Sequence, residues 1–136
     1  MKKKLKVLLI EDDMIEIMKL NRTVSTLKLN HNIIEAKNGE RAISILQKKD
    51  ELPHIILLDL NMPKINGIEF LNIVKNDEVL RHIPTIVLTT SNNQKDLLEC
   101  YKIGIAGYVL KPLKYEDYVL KIEKLLAYWS INELIE

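Results

Sequence analysis

Leu5-Lys6-Val7-Leu8-Leu9-Ile10-Glu11-Asp12-Asp13 is a nearly unbroken apolar run that stops abruptly on three carboxylates. An apolar run this short and continuous suits a strand buried on both faces, the usual state of a strand in a parallel sheet covered by helices. Directly after the acids, Ile17, Leu20, Val24 and Leu27 recur at helical spacing from Met14 onward. Asp13 followed three residues later by Glu16 has the form of a capping box, so the first unit reads strand, acidic stop, helix.

The same unit recurs along the chain. Residues 32–36 read as a second strand, and Asn38-Gly39 turns the chain into a helix whose inner face uses Ala42, Ile43 and Leu46, with Pro53 closing the unit. Residues 54–59 form a third strand centred on Ile-Ile-Leu-Leu and again ended by a carboxylate, Asp59; a loop with Pro63 and Gly67 leads to a helix over about 68–76. Pro84 opens a fourth strand over 85–90, rich in β-branched residues, and Ser91-Asn92-Asn93 caps a helix over 94–103. Gly104 and Gly107 bracket the next turn, and residues 108–110 make the fifth strand, ended by Lys111-Pro112. Tyr115, Tyr118, Val119, Ile122, Leu125, Leu126 and Trp129 then line one side of a last helix. Five strands alternating with five helices require right-handed crossovers, which predicts a doubly wound α/β fold: a five-stranded parallel sheet with helices on both faces, in the flavodoxin-like order 2-1-3-4-5.

Length and composition agree with a single domain. The 136 residues show no composition shift, so the chain divides only into a domain over 1–128 and a C-terminal extension of the last helix over 129–136. Twenty basic residues against nineteen acidic ones give a net charge of +1, which supplies no field to draw nucleic acid or anionic lipid. The local run Lys2, Lys3, Lys4 and Lys6 reads as a solvated end. Cys100 has no cysteine partner and lies in a helical stretch, where a buried structural thiol is expected. No apolar run is long enough to span a bilayer and no apolar segment follows the charged N-terminus, so a cytoplasmic location is expected.

In a sheet of this type ligands bind beyond the carboxyl ends of the strands. Those ends carry Glu11 and Asp12, Asp59, Thr89 or Thr90, and Lys111. Each alone is ordinary: acids start helices, a carboxylate starts a loop, a lysine sits on a surface. Together, three carboxylates at one edge repel one another, and one lysine cannot neutralise them all. A divalent cation is implied, and Mg2+ suits the set, because it is a hard ion that takes one or two carboxylates and completes its shell with water and phosphate oxygens.

Four separated motifs carry a family resemblance: Glu11-Asp12-Asp13; Asp59-Leu60-Asn61-Met62-Pro63 with Gly67; Leu88-Thr89-Thr90; and Lys111-Pro112. In that order, on those strand ends, they resemble the response-regulator receiver family over nearly the whole chain. The resemblance implies that Asp59 is the phosphoacceptor, that Mg2+ is held by Glu11, Asp12, Asp59 and the backbone carbonyl of Asn61, and that Thr89 and Lys111 receive the phosphoryl oxygens. Asp13 is the alternative metal ligand, since three successive acids leave the register open by one position; the strand stopping at Ile10 favours Glu11 and Asp12. Thr89 and Tyr108 would form the coupled switch, read through the fourth helix, fifth strand and fifth helix. Asn61 and Ser91 would flank the path of attacking water and set the phosphoryl lifetime. Lys111-Pro112 is joined by a cis peptide in the family, a point that a single sequence leaves open. Asn66 before Gly67, Thr90 beside Thr89 and Leu113 after Pro112 depart from the common pattern.

A receiver of this kind is a signalling phosphoacceptor rather than an enzyme with turnover, and its partners are a sensor histidine kinase or phosphotransfer protein and a downstream protein target. The tail Trp129-Ser130-Ile131-Asn132-Glu133-Leu134-Ile135, with the Leu-Thr-Thr-Ser stretch, is similar to stand-alone receivers that partner phytochrome-type kinases, and a homodimer through the last helix and tail is expected. Two other classes fit less well. A haloacid-dehalogenase-type phosphohydrolase needs a second acid two residues after its nucleophile, where Asn61 stands. A flavodoxin would have its cofactor phosphate repelled by the acids at 11–13.

Overall fold

The computed structural model describes residues 4–62 and 65–135; Lys2 and Lys3 of the basic run and Pro63 of the loop motif lie outside them. Strands β1 (Lys6–Ile10), β2 (Asn32–Ala36), β3 (Ile55–Leu58), β4 (Thr85–Thr89) and β5 (Gly107–Leu110) alternate with helices α1 (Met14–Thr26), α2 (Gly39–Gln47), α3 (Gly67–Lys75), α4 (Gln94–Ile103) and α5 (Tyr115–Ser130). The strands form one parallel sheet in the order β2-β1-β3-β4-β5, with Val7 opposite Ile33 on one side and Ile55 on the other.

The two-residue period of the strands divides the core in two. Leu8, Ile10, Ile56, Leu58 and Val87 face one way, onto Ala42 and Leu46 of α2, Phe70, Leu71 and Val74 of α3, and Cys100 of α4. Val7, Leu9, Ile55, Leu57, Ile86 and Leu88 face the other way, onto Ile17, Leu20 and Val24 of α1 and Tyr118, Ile122, Leu125 and Leu126 of α5. The continuous apolar runs are therefore two alternating faces superposed, and removal of both from water is what stabilises the sheet.

Helix starts follow local chemistry. Asn38 accepts from the Arg41 N–H at 2.8 Å and Asn93 from the Lys95 N–H at 2.8 Å. Asn66, where the common pattern has an acid, caps α3 in a reciprocal box: it accepts from the Glu69 N–H at 2.9 Å, and Glu69 accepts from the Asn66 N–H at 3.3 Å. The box expected at α1 does not form, and Asp13 caps the helix through a different N–H. Asp13 accepts from the Ile15 N–H at 2.9 Å, but the Asp13 N–H donates to Glu11 at 3.3 Å, and Glu16 turns elsewhere. A short 3-10 turn, Leu80–His82, was not legible from periodicity; Asp77 organises it by accepting from the Val79 and Leu80 N–H groups at 2.9 and 3.0 Å. His31 and His54 accept from the Leu5 and Lys6 N–H groups at 3.0 and 2.9 Å, which satisfies the backbone where β1 begins.

Beyond the sheet, Trp129 and Leu134 pack against the α1–α5 core, and Tyr128 meets Trp129 edge-on with ring centroids 5.1 Å apart. The tail thus turns part of its apolar surface inward.

Cys100 is fully buried, and burial, with Asp96 and Glu99 nearby, pushes its thiol up to about 11. Because the folded state holds this proton longer than the unfolded chain does, its contribution to stability is intact near neutrality and is lost as pH rises toward about 11. At pH 8 a thiol reagent should label native Cys100 roughly a hundredfold more slowly than the urea-unfolded chain, since the thiolate is scarce and covered; equal rates would place the side chain outside the core.

Candidate functional site at the carboxyl edge of the sheet

Two backbone bonds set the positions of the acids. The Asp59 N–H donates to the Ile10 carbonyl at 3.1 Å and the Glu11 N–H to the Ala36 carbonyl at 3.0 Å, so the ends of β1 and β3 leave the sheet side by side. Glu11, Asp12 and Asp59 each offer a carboxylate oxygen, and these three oxygens lie within 4.8 Å of one another. Glu11 and Asp59 are buried while Asp12 is exposed, so the group opens to solvent on one side. Asp13 stands apart from this trio, with its carboxylate occupied as the cap of α1. On the other side of Asp59, the Lys111 N–H donates to the Thr89 carbonyl at 2.8 Å, which fixes the lysine at the same edge.

Lys111 Nζ lies 2.6 Å from Glu11 Oε1 and 3.3 Å from Glu16 Oε1, with only 6% of its side chain exposed. Burial pushes the Glu11 carboxyl up to about 7; Lys111 pulls against this and the Asp59 charge adds to it. Burial alone would lower Lys111, but its bond to Glu11 and the charges of Glu11, Asp59 and Glu16 outweigh it and hold the ammonium charged. No peptide bond among the described residues is cis, so Lys111–Pro112 is trans, unlike the cis form the family resemblance implies. An X–Pro bond prefers trans by about 0.5–1 kcal/mol, and the lysine reaches Glu11 from that geometry.

Thr89 is buried and its Oγ1 accepts from the Ser91 N–H at 3.3 Å; half-buried Tyr108 donates its hydroxyl to the Ser91 carbonyl at 2.8 Å. The two side chains singled out from sequence as a switch thus meet on the same peptide segment. Ser91 contacts both, a meeting hidden in the sequence because Ser91-Asn92-Asn93 also reads as a helix cap. Asn61 is exposed two residues beyond Asp59, in a loop anchored by buried Leu60 and Met62. Gly67 closes that loop: its N–H donates to the Leu60 carbonyl at 3.1 Å, and a Cβ there would lie 2.7 Å from Leu60 Cα and 3.0 Å from the Asp59 carbonyl oxygen. Only glycine leaves the Asp59 backbone undisturbed.

A sequence model of the response regulator receiver domain matches residues 7–123. The chain belongs to this family. Among curated relatives, the receiver is 35% identical over 127 residues to the probable methanogenesis regulatory protein FilR2 of Methanothrix harundinacea, covering 90% of this chain and 82% of that one. It is 31% identical over 128 residues to the response regulator Rcp1 of Synechocystis, covering 90% and 87%. Among solved structures, it matches the phosphorylated cyanobacterial phytochrome response regulator RcpA at 27% identity with a TM-score of 0.91, over 98% of this chain and 99% of that one. The Mn2+-bound form of Rcp1 matches at 29% identity and a TM-score of 0.89, over 97% and 99%. Receivers are the phosphoacceptor domains of two-component signalling, partner histidine kinases, and bind Mg2+ or Mn2+ at an acidic cluster of the kind seen at Glu11, Asp12 and Asp59. No helix among the described residues is long and apolar enough to cross a membrane.

The raised Glu11 carboxyl has a sign that can be measured. The folded state binds its proton more tightly than the unfolded chain does, so in metal-free buffer stability should fall as pH rises from about 5 through about 7. Glu11→Gln should flatten that part of the urea-midpoint profile. Lys111→Met should cost about 2 kcal/mol at pH 8, in the range for hydrogen bonds to charged groups, and less at pH 5, where Glu11 is neutral. A uniform loss at both values would contradict the pairing.

Proposed function

We propose that Asp59 accepts a phosphoryl group from a histidine kinase or phosphotransfer protein and that the resulting change of packing is passed to a protein target. The observation that carries this reading is the trio of carboxylate oxygens within 4.8 Å, Asp59 among them, beside a lysine buried at the same edge. Hard oxygen donors in a cluster of excess negative charge fit a divalent cation of the Mg2+ type, with Glu11, Asp12, Asp59 and the Asn61 carbonyl to hold it. Bound there, Mg2+ would supply neutralising charge for phosphoryl oxygens.

The protein's own groups do the rest. An Asp59 carboxylate oxygen attacks phosphorus in line, the bond to the donor imidazole nitrogen breaks, and its electron pair stays on the imidazole. Asp59 becomes an acyl phosphate. Lys111 pairs with one phosphoryl oxygen, and the Thr89 hydroxyl donates to another; moving toward it draws Thr89 away from the Ser91 N–H from which its Oγ1 now accepts. Tyr108, bonded to the same Ser91, then repacks, and the equilibrium between two arrangements of α4, β5 and α5 shifts. Leu98, Tyr101, Leu110 and Leu120 are exposed on these elements and suit protein contact. A cytoplasmic location belongs to the same reading. The homodimer expected through the last helix and tail would use Tyr128, Ile131 and Ile135, which are exposed, rather than Trp129 and Leu134, which pack inward. A monomeric mass by light scattering, with and without phosphorylation, would remove that part of the proposal.

Incubation with acetyl phosphate and Mg2+ followed by intact-mass measurement should give one phosphoryl adduct on the wild type. Asp59→Asn, or chelation of the metal, should abolish it. An adduct that survives Asp59→Asn would overturn the assignment.

A further inference from the structure

Glu16 belongs to none of the four motifs, yet it is the second carboxylate on Lys111. Standing in the first turn of α1, it places Oε1 3.3 Å from Lys111 Nζ and Oε2 3.3 Å from Lys19 Nζ. Lys19 Nζ in turn lies 4.5 Å from the centre of the Tyr118 ring on α5. A glutamate three residues after an N-cap normally reaches back to the cap N–H. Here Glu11 accepts that Asp13 N–H at 3.3 Å, and Glu16 is left to turn toward the lysine. Its Oε1 is buried and has no hydrogen bond of good geometry, so its hold on Lys111 is the pull of an undirected charge.

We propose that Glu16 is a positioning residue that holds Lys111 in reserve and sets how readily it is released to an anion on Asp59. This rests on the reading of Asp59 as phosphoacceptor. An ammonium has three donors. Glu11 takes one at 2.6 Å, while Glu16 takes none by hydrogen bond and attracts the ammonium by charge from 3.3 Å. A phosphoryl group brings about one and a half to two further negative charges to the same ammonium. Glu16 opposes it in two ways, by competing for Lys111 and by like charge across a poorly solvated site. When Lys111 turns toward the anion, Glu16 keeps only Lys19, and the charge balance beside Tyr118 changes. Release of the lysine is thus felt at the α1–α5 contact, on the opposite face of the sheet from the Cys100 core.

The test uses beryllofluoride with Mg2+, a phosphoryl mimic, with binding followed by 19F NMR. Glu16→Gln should tighten binding roughly three- to tenfold, the range of a partly buried charge pair, and Glu16→Asp, which keeps the charge but withdraws it, should tighten it less. A structural role for Glu16 would move the urea midpoint without this gain. In a Lys111→Met background the gain from Glu16→Gln should shrink to the smaller part that like charge alone supplies; Lys111→Gln serves where the methionine variant does not fold. Unchanged or weaker binding in Glu16→Gln overturns the inference, as does a gain of equal size without Lys111. If the wild type binds no beryllofluoride and takes no phosphoryl group from acetyl phosphate, the reading of Asp59 fails and this inference falls with it.

Discussion

A single ammonium stands between carboxylates that the sheet forces together. Parallel pairing of β1 with β3 brings Glu11 beside Asp59, and pairing of β4 with β5 brings Lys111 to the same edge; neither placement is a choice of the side chains. Without Lys111 the edge would gather three acids in a region where two of them are out of water. With it, the charge remains unbalanced, since one ammonium meets Glu11, Glu16 and the field of Asp59. Burial of like charges is unfavourable, and the two apolar faces of the sheet must offset that cost. The site is therefore an electrostatically unfavourable part of a fold whose stability lies elsewhere.

In the proposed function, that separation would let the two faces of the sheet answer differently to one phosphorylation event. The Thr89–Ser91–Tyr108 contacts lead from β4 through the start of the α4 segment to β5. The Lys111–Glu16–Lys19–Tyr118 contacts lead from the end of β5 to α1 and α5. Both begin at groups proposed to receive a phosphoryl group on Asp59, and both run through polar side chains. In the proposed function, polar contacts of this kind laid over rigid packed layers would convert a local charge into a choice between arrangements.

Most of the architecture was legible because it is periodic. The limits of β2 and α4 coincide with those read from the sequence, and the start of α4 is marked by the Asn93 cap, whose chemistry is local. The acids at strand ends were legible for the same reason: an apolar run that stops on a carboxylate marks an edge. What stayed hidden depends on contacts across the sequence. Nothing local marked His31, and His54 read only as the start of the third strand, yet each receives a β1 N–H, from 26 and 48 residues away. Glu16 read as half of a capping box; only the position of Glu11 shows why the box does not close. Asn66 read as a departure from the pattern and is a full capping residue. Local rules misread a residue when a distant partner competes for the same donor.

The competition at Asp13 shows how far that point extends. The Asp13 N–H can be satisfied by Glu16, three residues later, or by Glu11, two residues earlier, and the structure uses Glu11. Satisfying the backbone from Glu11 leaves its other oxygen for Lys111 and turns Glu16 inward, so one main-chain donor decides where two carboxylates point. A metal or a phosphoryl group that drew Glu11 away would reopen the choice, and Glu16 could then close the box it abandons here. The start of α1 and the charge state of the site are linked through that one N–H, which makes the first turn of the helix a participant in the site it was expected only to flank.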